Sequence, residues 1–373
     1  MSGGRVALDV TMARTNHLGT GTYTRKLVEA LQPLMGERLS PVEFGFVGPM
    51  NHRKTVRDRL ATLVHDVWWT QTGILHAATA QHADLLHVPA MLAPLRSSVP
   101  LVVTIFDLAI VRFPKKFRRW HRTFTRYVLP RLARSVDAIV TASEASKRDL
   151  IDLLGVPPDR INVIPCGIDG GFTPVHDDDP RLRDVSRRYS LPPAYAITVG
   201  AIEPRKNLAG LFRAVKLLSE RRELRDLQLI HVGPVGWHAD DVPRTVTSLG
   251  LEDRVRFLGY VSIEDLASLY QLARVSVYPS LFEGFGLPVL EAMASGCPVV
   301  TSNCSSMPEV AGGAAVLVDP TNVESIAEGL GRVWQDEQLR RELIARGLAR
   351  AARFTWDATA SETLKLYDRV LAA

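Results

Sequence analysis

The sequence predicts an α/β protein of two doubly wound, Rossmann-like domains, and three observations carry that expectation. Short β-branched runs alternate with stretches whose apolar residues recur at helical spacing, and the alternation restarts halfway along the chain. At 373 residues the chain exceeds the size at which one hydrophobic core stops growing. Between the two runs lies a segment, 169–190, with linker composition: Gly170-Gly171, Pro174, the acidic residues 177–179 and Pro180.

In the first half a strand is expected over 5–10, followed by a helix with Tyr23, Leu27, Leu31 and Leu34 on one face. Further strands are expected over 42–47, 101–105, 138–141 and 161–164. Between the last two, Ser143 suits the N-cap of a helix that carries Leu150, Leu153 and Leu154 on one side before Gly155 stops it. Strand, helix, strand in this order implies parallel pairing with helices on the faces. The second half repeats the rhythm, with strands expected over 195–199, 227–232, 254–258, 275–278, 298–301 and 315–318. No short internal repeat is present, so the two halves share an architecture and not a solenoid.

Composition narrows the class. Hydrophobic residues at 46% and charged residues at 23% fit a folded globular protein. A net charge of +5, with arginine well in excess of lysine, favours an anionic partner. Cys166, Cys297 and Cys304 cannot all pair and have no metal-type spacing, so they read as reduced, buried apolar residues. The first ten residues are too charged for a signal peptide, and no run of about eighteen apolar residues exists to span a membrane. A cytoplasmic location is the expectation.

Open α/β sheets bind ligands beyond the carboxyl ends of their strands, so the chemistry is sought in the loops that follow strands. The segment Tyr278-Pro-Ser-Leu-Phe-Glu-Gly-Phe-Gly-Leu-Pro-Val-Leu-Glu291 ends a strand, passes through a glycine-containing loop and enters a helix at Pro288. The N–H groups of Phe285, Gly286 and Leu287 then face an anion, and a phosphate fits there. Glu283 and Glu291 would flank it and accept hydrogen bonds from sugar and ribose hydroxyls, or else be solvated carboxylates that complement the helix dipole.

These residues resemble the Glu-x7-Glu signature of retaining glycosyltransferases of family 4, which have the GT-B fold: two Rossmann-like domains facing across a deep cleft. Gly200-Ala-Ile-Glu-Pro-Arg-Lys-Asn207 is similar to the family's loop in which an Arg and a Lys, here Arg205 and Lys206, bind the donor diphosphate. Gly19-Thr-Gly-Thr-Tyr23 resembles the glycine-rich turn of the first domain, which puts Gly19 and Gly21 beside the donor. Tyr260 and Val261 fall at the donor site by the same resemblance. Val163-Ile-Pro-Cys-Gly-Ile-Asp169 resembles the end of the first domain, and Phe354-Thr-Trp356 the entry to a final helix that crosses back onto it. The implied domains are 1–172, completed by 356–373, and 190–355.

The resemblance, nearest to mannosyltransferase-like members, implies transfer of a hexose or deoxyhexose from a GDP-, UDP- or dTDP-linked sugar to a glycan, lipid-linked or small-molecule acceptor. Arg205 and Lys206 would stabilise the charge that grows on the leaving diphosphate, so neither a metal nor a further cofactor is expected. The chain has Phe106-Asp107 where relatives often carry a His-Asp pair, which leaves Asp107 either an active-site acid or a cap for the loop that follows. The stretch 112–122 mixes basic residues with Phe113, Phe117 and Trp120; it reads as a solvated helix face or as a peripheral contact with anionic membrane at the inner face. No nucleic-acid recognition motif accompanies it. A GT-B nucleotide-sugar epimerase and a noncatalytic nucleotide-sugar or membrane-binding protein are the alternatives.

Overall fold

The computed structural model describes residues 4–15, 19–44, 64–114, 123–236 and 241–373. The chain divides into two compact units, Met1–Gly167 with Thr355–Ala373, and Ile168–Phe354.

The first unit is built on a six-stranded sheet of order β2-β1-β3-β4-β5-β6, comprising β1 (Val6–Asp9), β2 (Leu39–Val42), β3 (Leu85–Val88), β4 (Leu101–Thr104), β5 (Ala138–Thr141) and β6 (Ile161–Val163). Every pairing is parallel. β1, β3, β4 and β5 are buried along their whole length, as strands covered on both faces must be. Pro41, which has no N–H to donate, sits in the edge strand β2. That strand lies over Leu39–Val42 and not over 42–47, of which 45–47 fall outside the described residues.

β3 is a strand the sequence reading does not contain, because His87 interrupts a run of only four residues. The imidazole is fully buried and both its nitrogens are satisfied: Nδ1 lies 2.6 Å from the Tyr367 hydroxyl and Nε2 2.8 Å from Thr104 Oγ1. Burial drives its pKa down to about 3, so the ring is neutral, with one nitrogen donating and the other accepting. Tyr367 belongs to the last helix, Trp356–Ala372, which packs on Gly19–Met35 and so completes the first unit. Thr355 caps that helix by accepting from Ala358 N, as the Phe354-Thr-Trp356 motif implies.

The glycines at 19 and 21 do not form a turn. Both lie in the opening turn of the 17-residue helix Gly19–Met35, with Tyr23, Leu27 and Leu31 buried and Leu34 about half exposed. In the helix Glu144–Leu154, Ser143 is the N-cap and Gly155 the left-handed C-cap, whereas Leu153 is exposed. The basic stretch is described only at its start, since 115–122 lie outside the described residues. There Arg112 pairs with Asp149, its Nε donating to Oδ2 at 2.9 Å.

The second unit is a parallel sheet of order β12-β11-β10-β7-β8-β9. Its strands are β7 (Ala196–Val199), β8 (Leu229–Val232), β9 (Val255–Gly259), β10 (Val275–Tyr278), β11 (Val299–Ser302) and β12 (Ala315–Val318), all six where the sequence pattern puts them. One core joins β7, β8, β10 and β11 to the helices Leu208–Ser219 and Val323–Gln335 through Leu211, Phe212, Val215, Ile326 and Leu330. The residues 180–188, read as linker from their composition, form the helix Pro180–Arg188. Asp179 caps it by accepting from Arg181 N at 2.9 Å, Pro180 fills the first turn where no N–H is needed, and Leu182 and Val185 are buried. Cys166 and Cys297 are buried free thiols, while Cys304 is partly exposed.

Candidate functional site

In the second unit the strand order reverses between β7 and β10, its first and fourth strands. A doubly wound sheet splays its loops apart at such a switch point and opens a crevice there. The loop after β7 carries Pro204–Lys206, a single 3-10 turn, and the loop after β10 carries Glu283. Leu281 N donates to Arg205 O at 2.8 Å, which ties the two loops together by their backbones.

The side chains converge on one carboxylate. Glu283 Oε1 accepts from Lys206 Nζ at 2.7 Å, from the Tyr278 hydroxyl at 2.9 Å and from Ser280 Oγ at 2.8 Å, and Oε2 accepts from Arg205 at 2.5 Å. Lys206 Nζ also donates to the Tyr278 hydroxyl, and Arg205 Nε donates to Glu203 at 2.8 Å. Three of these bonds fall on Oε1 and one on Oε2. Glu283 is the anion against which Arg205 and Lys206 are held. Burial alone would raise its pKa; the charges of Lys206 and Arg205, with hydrogen bonds from Lys206 and Ser280, outweigh burial and hold it at about 2. Burial lowers Lys206 in turn, against the pull of Glu283.

Past Glu283 the chain enters the helix Leu287–Ala294 with Gly286 as N-cap. Gly286 sits at φ +121°, and a Cβ there would lie 2.3 Å from Met307 Cε, so both backbone and space require glycine. The first N–H groups of this helix have no acceptor within it, and the dipole makes its start, at Phe285, Gly286 and Leu287, electropositive. Pro288 occupies the first turn. Glu291, one turn in, has its pKa pushed up to about 7, first by burial and then by the charge of Asp169, with Lys206 opposing.

A set of hydroxyls that the sequence reading omits fastens this loop from the neighbouring strand. Thr301 Oγ1 donates to Tyr278 O at 2.9 Å and Ser302 Oγ to Ser280 O at 2.6 Å. Ser305 Oγ accepts from Glu283 N at 3.1 Å, and Ser306 Oγ lies 2.6 Å from Phe285 O. The signal was present as a hydroxyl-rich run over the end of β11 and the residues just after it. Tyr260 and Val261 follow β9 at the same end of the sheet, the tyrosine 73% exposed and the valine buried.

The remaining candidates belong to the first unit. Gly19 and Gly21 are helical, as noted. Asp107 Oδ1 accepts from Ala109 N at 2.8 Å, an Asx turn just before the short helix Ala109–Arg112, whose N-cap is Leu108. Phe106 packs edge-on to the buried Tyr23 ring, with centroids 4.7 Å apart.

Residues 19–170 match the model of Glycosyltransferase Family 4, and residues 184–350 match that of Glycosyl transferases group 1. Over 271 residues, 71% of this chain and 69% of the relative, the sequence is 38% identical to the O-antigen chain mannosyltransferase B of Escherichia coli. It is 32% identical over 251 residues to the serotype-specific mannosyltransferase WbdA of Escherichia coli, covering 66% of this chain but only 31% of that longer protein. Among solved structures, sucrose-phosphate synthase from Thermosynechococcus elongatus superposes with a TM-score of 0.80 at 21% identity, over 99% of both chains. The two parallel sheets and the motifs at their strand ends are thus those of a GT-B enzyme, and the chain belongs to the family 4 glycosyltransferases.

Proposed function

We propose that the protein transfers a hexose or deoxyhexose, mannose above all, from a nucleoside-diphosphate sugar to an acceptor, with retention of anomeric configuration and without a metal ion. The observation that carries this reading is the pair Arg205 and Lys206, both held by one buried carboxylate at the switch point. As the anomeric C–O bond to the diphosphate breaks, charge grows on the departing phosphate. Cations and N–H groups already fixed in place act on that charge more strongly than on the ground state. The acceptor oxygen forms its bond on the same face of the sugar, and its proton passes to the departing phosphate oxygen. Such a step asks the protein for positioning and charge stabilisation, not for a nucleophile.

The mannosyl assignment draws on the activities in the names of the two relatives above. The acceptor as a glycan, lipid-linked or small molecule, the GDP, UDP or dTDP carrier and a peripheral contact of the 112–122 stretch with anionic membrane belong to the same proposal. The test is release of nucleoside diphosphate from GDP-mannose, with UDP- and dTDP-sugars alongside, in the presence and absence of a mannosylated acceptor and of EDTA. Release that needs acceptor and ignores EDTA is the expected result. Conversion of the donor without acceptor would replace this reading with an epimerase, and binding without turnover would replace it with a noncatalytic protein.

A further inference from the structure

Tyr278 closes β10 with its ring buried and its hydroxyl between the two charged groups that matter most. The hydroxyl accepts from Lys206 Nζ and donates to Glu283 Oε1 at 2.9 Å, while Nζ also donates to the same oxygen. Ammonium, hydroxyl and carboxylate oxygen thus form a closed triangle. An ammonium on a four-carbon stem has three donors that turn freely unless at least two are fixed. Glu283 and Tyr278 fix two. The side chain of Lys206 is 12% exposed, and beside Nζ stands Gly200, at φ +140°, where a Cβ would lie 3.7 Å from the nitrogen. Two of the three ammonium donors are thus engaged, by Glu283 and Tyr278, and the third stays available to a ligand.

We infer that Tyr278 is a positioning residue for glycosyl transfer: its hydroxyl fixes the Lys206 ammonium so that one N–H points at the departing diphosphate. The inference rests on the donor-site reading of Lys206 and adds what aims it. Tyr278 touches no substrate in this scheme and acts wholly through Lys206. A phenylalanine keeps the ring, and with it the packing, while Lys206 keeps Glu283 and becomes able to swing.

The experiment is a four-way cycle of wild type, Tyr278→Phe, Lys206→Ala and the double variant, each checked by thermal unfolding. Two readouts are taken, steady-state kinetics with GDP-mannose plus acceptor and GDP affinity by calorimetry. Tyr278→Phe should lower kcat about tenfold with donor KM within about twofold, and should weaken GDP about tenfold, because the aimed N–H matters most when the phosphate carries its full charge. In the Lys206→Ala background the same substitution should change neither readout by more than about twofold, since coupled residues are not additive. Wild-type kcat in Tyr278→Phe, or an equal loss in the presence and absence of Lys206, overturns the inference, because a merely structural tyrosine would behave in the second way. If the wild type binds GDP but turns over no donor, the transferase proposal falls and the GDP cycle alone decides Tyr278. If the wild type binds none of GDP, UDP and dTDP saturably, both fall.

Discussion

Two glutamates eight positions apart titrate in opposite directions, and the reason is local. Glu283 is surrounded by Lys206, Arg205, Tyr278 and Ser280 and is held at about 2, whereas Glu291, partly buried and within reach of the charge of Asp169, is pushed up to about 7. Folded protein holds the Glu291 proton more tightly than unfolded chain between its ordinary pKa of 4.5 and about 7, so its contribution lowers stability as pH rises through that window. For Glu283 the sign is reversed: its contribution is present above 4.5 and lost as pH falls toward 2. Glu291→Gln should therefore raise the melting temperature more at pH 8 than at pH 5, and an equal change at both would refute the shifted carboxyl. The spacing of the two acids was legible in the sequence, as were Arg205 and Lys206. What each acid faces was not, because Tyr278, Ser280, Ser305 and Ser306 are ordinary loop and strand-end residues until the fold brings β7, β10 and β11 side by side.

The second sheet could be read strand by strand because its strands are β-branched runs bounded by turn residues. The first could not, since β3 is four residues long and holds a histidine whose polarity is cancelled only by Thr104 and by Tyr367 from the far end of the chain. The residues 180–188 failed in the opposite way: an acidic, proline-containing entry that reads as linker is also a good helix start. The same logic makes Gly286 a requirement of the loop that enters the helix Leu287–Ala294. Gly286→Ala must place a side chain at φ +121° and push Met307 aside, so urea unfolding should show a loss of about 1–3 kcal/mol. Donor affinity should fall with it, because the N–H groups of Phe285 and Leu287 shift. Unchanged stability and affinity would mean that the loop can take another shape.

On the scale of the whole chain, the first unit is discontinuous: residues up to Gly167 fold with a helix that begins only at Trp356. The expectation of a returning helix came from the motif at 354–356, and the polar triad of His87, Thr104 and Tyr367 adds two hydrogen bonds to the apolar face that Ala360 and Leu366 bury. Tyr367→Phe leaves a buried imidazole nitrogen without its partner, which costs about 1–3 kcal/mol, and chemical denaturation followed by hydrogen exchange in the helix Trp356–Ala372 should show it; no change would mean another group takes the hydroxyl's place. The second unit carries the claim about function, and Lys206 is its centre. The most direct measurement is acceptor-dependent turnover of GDP-mannose by Lys206→Ala beside the wild type, with melting curves confirming that both are folded. Loss of one fixed transition-state donor predicts a fall of about a hundredfold or more. Turnover near that of the wild type would contradict the assignment of this loop to the departing diphosphate.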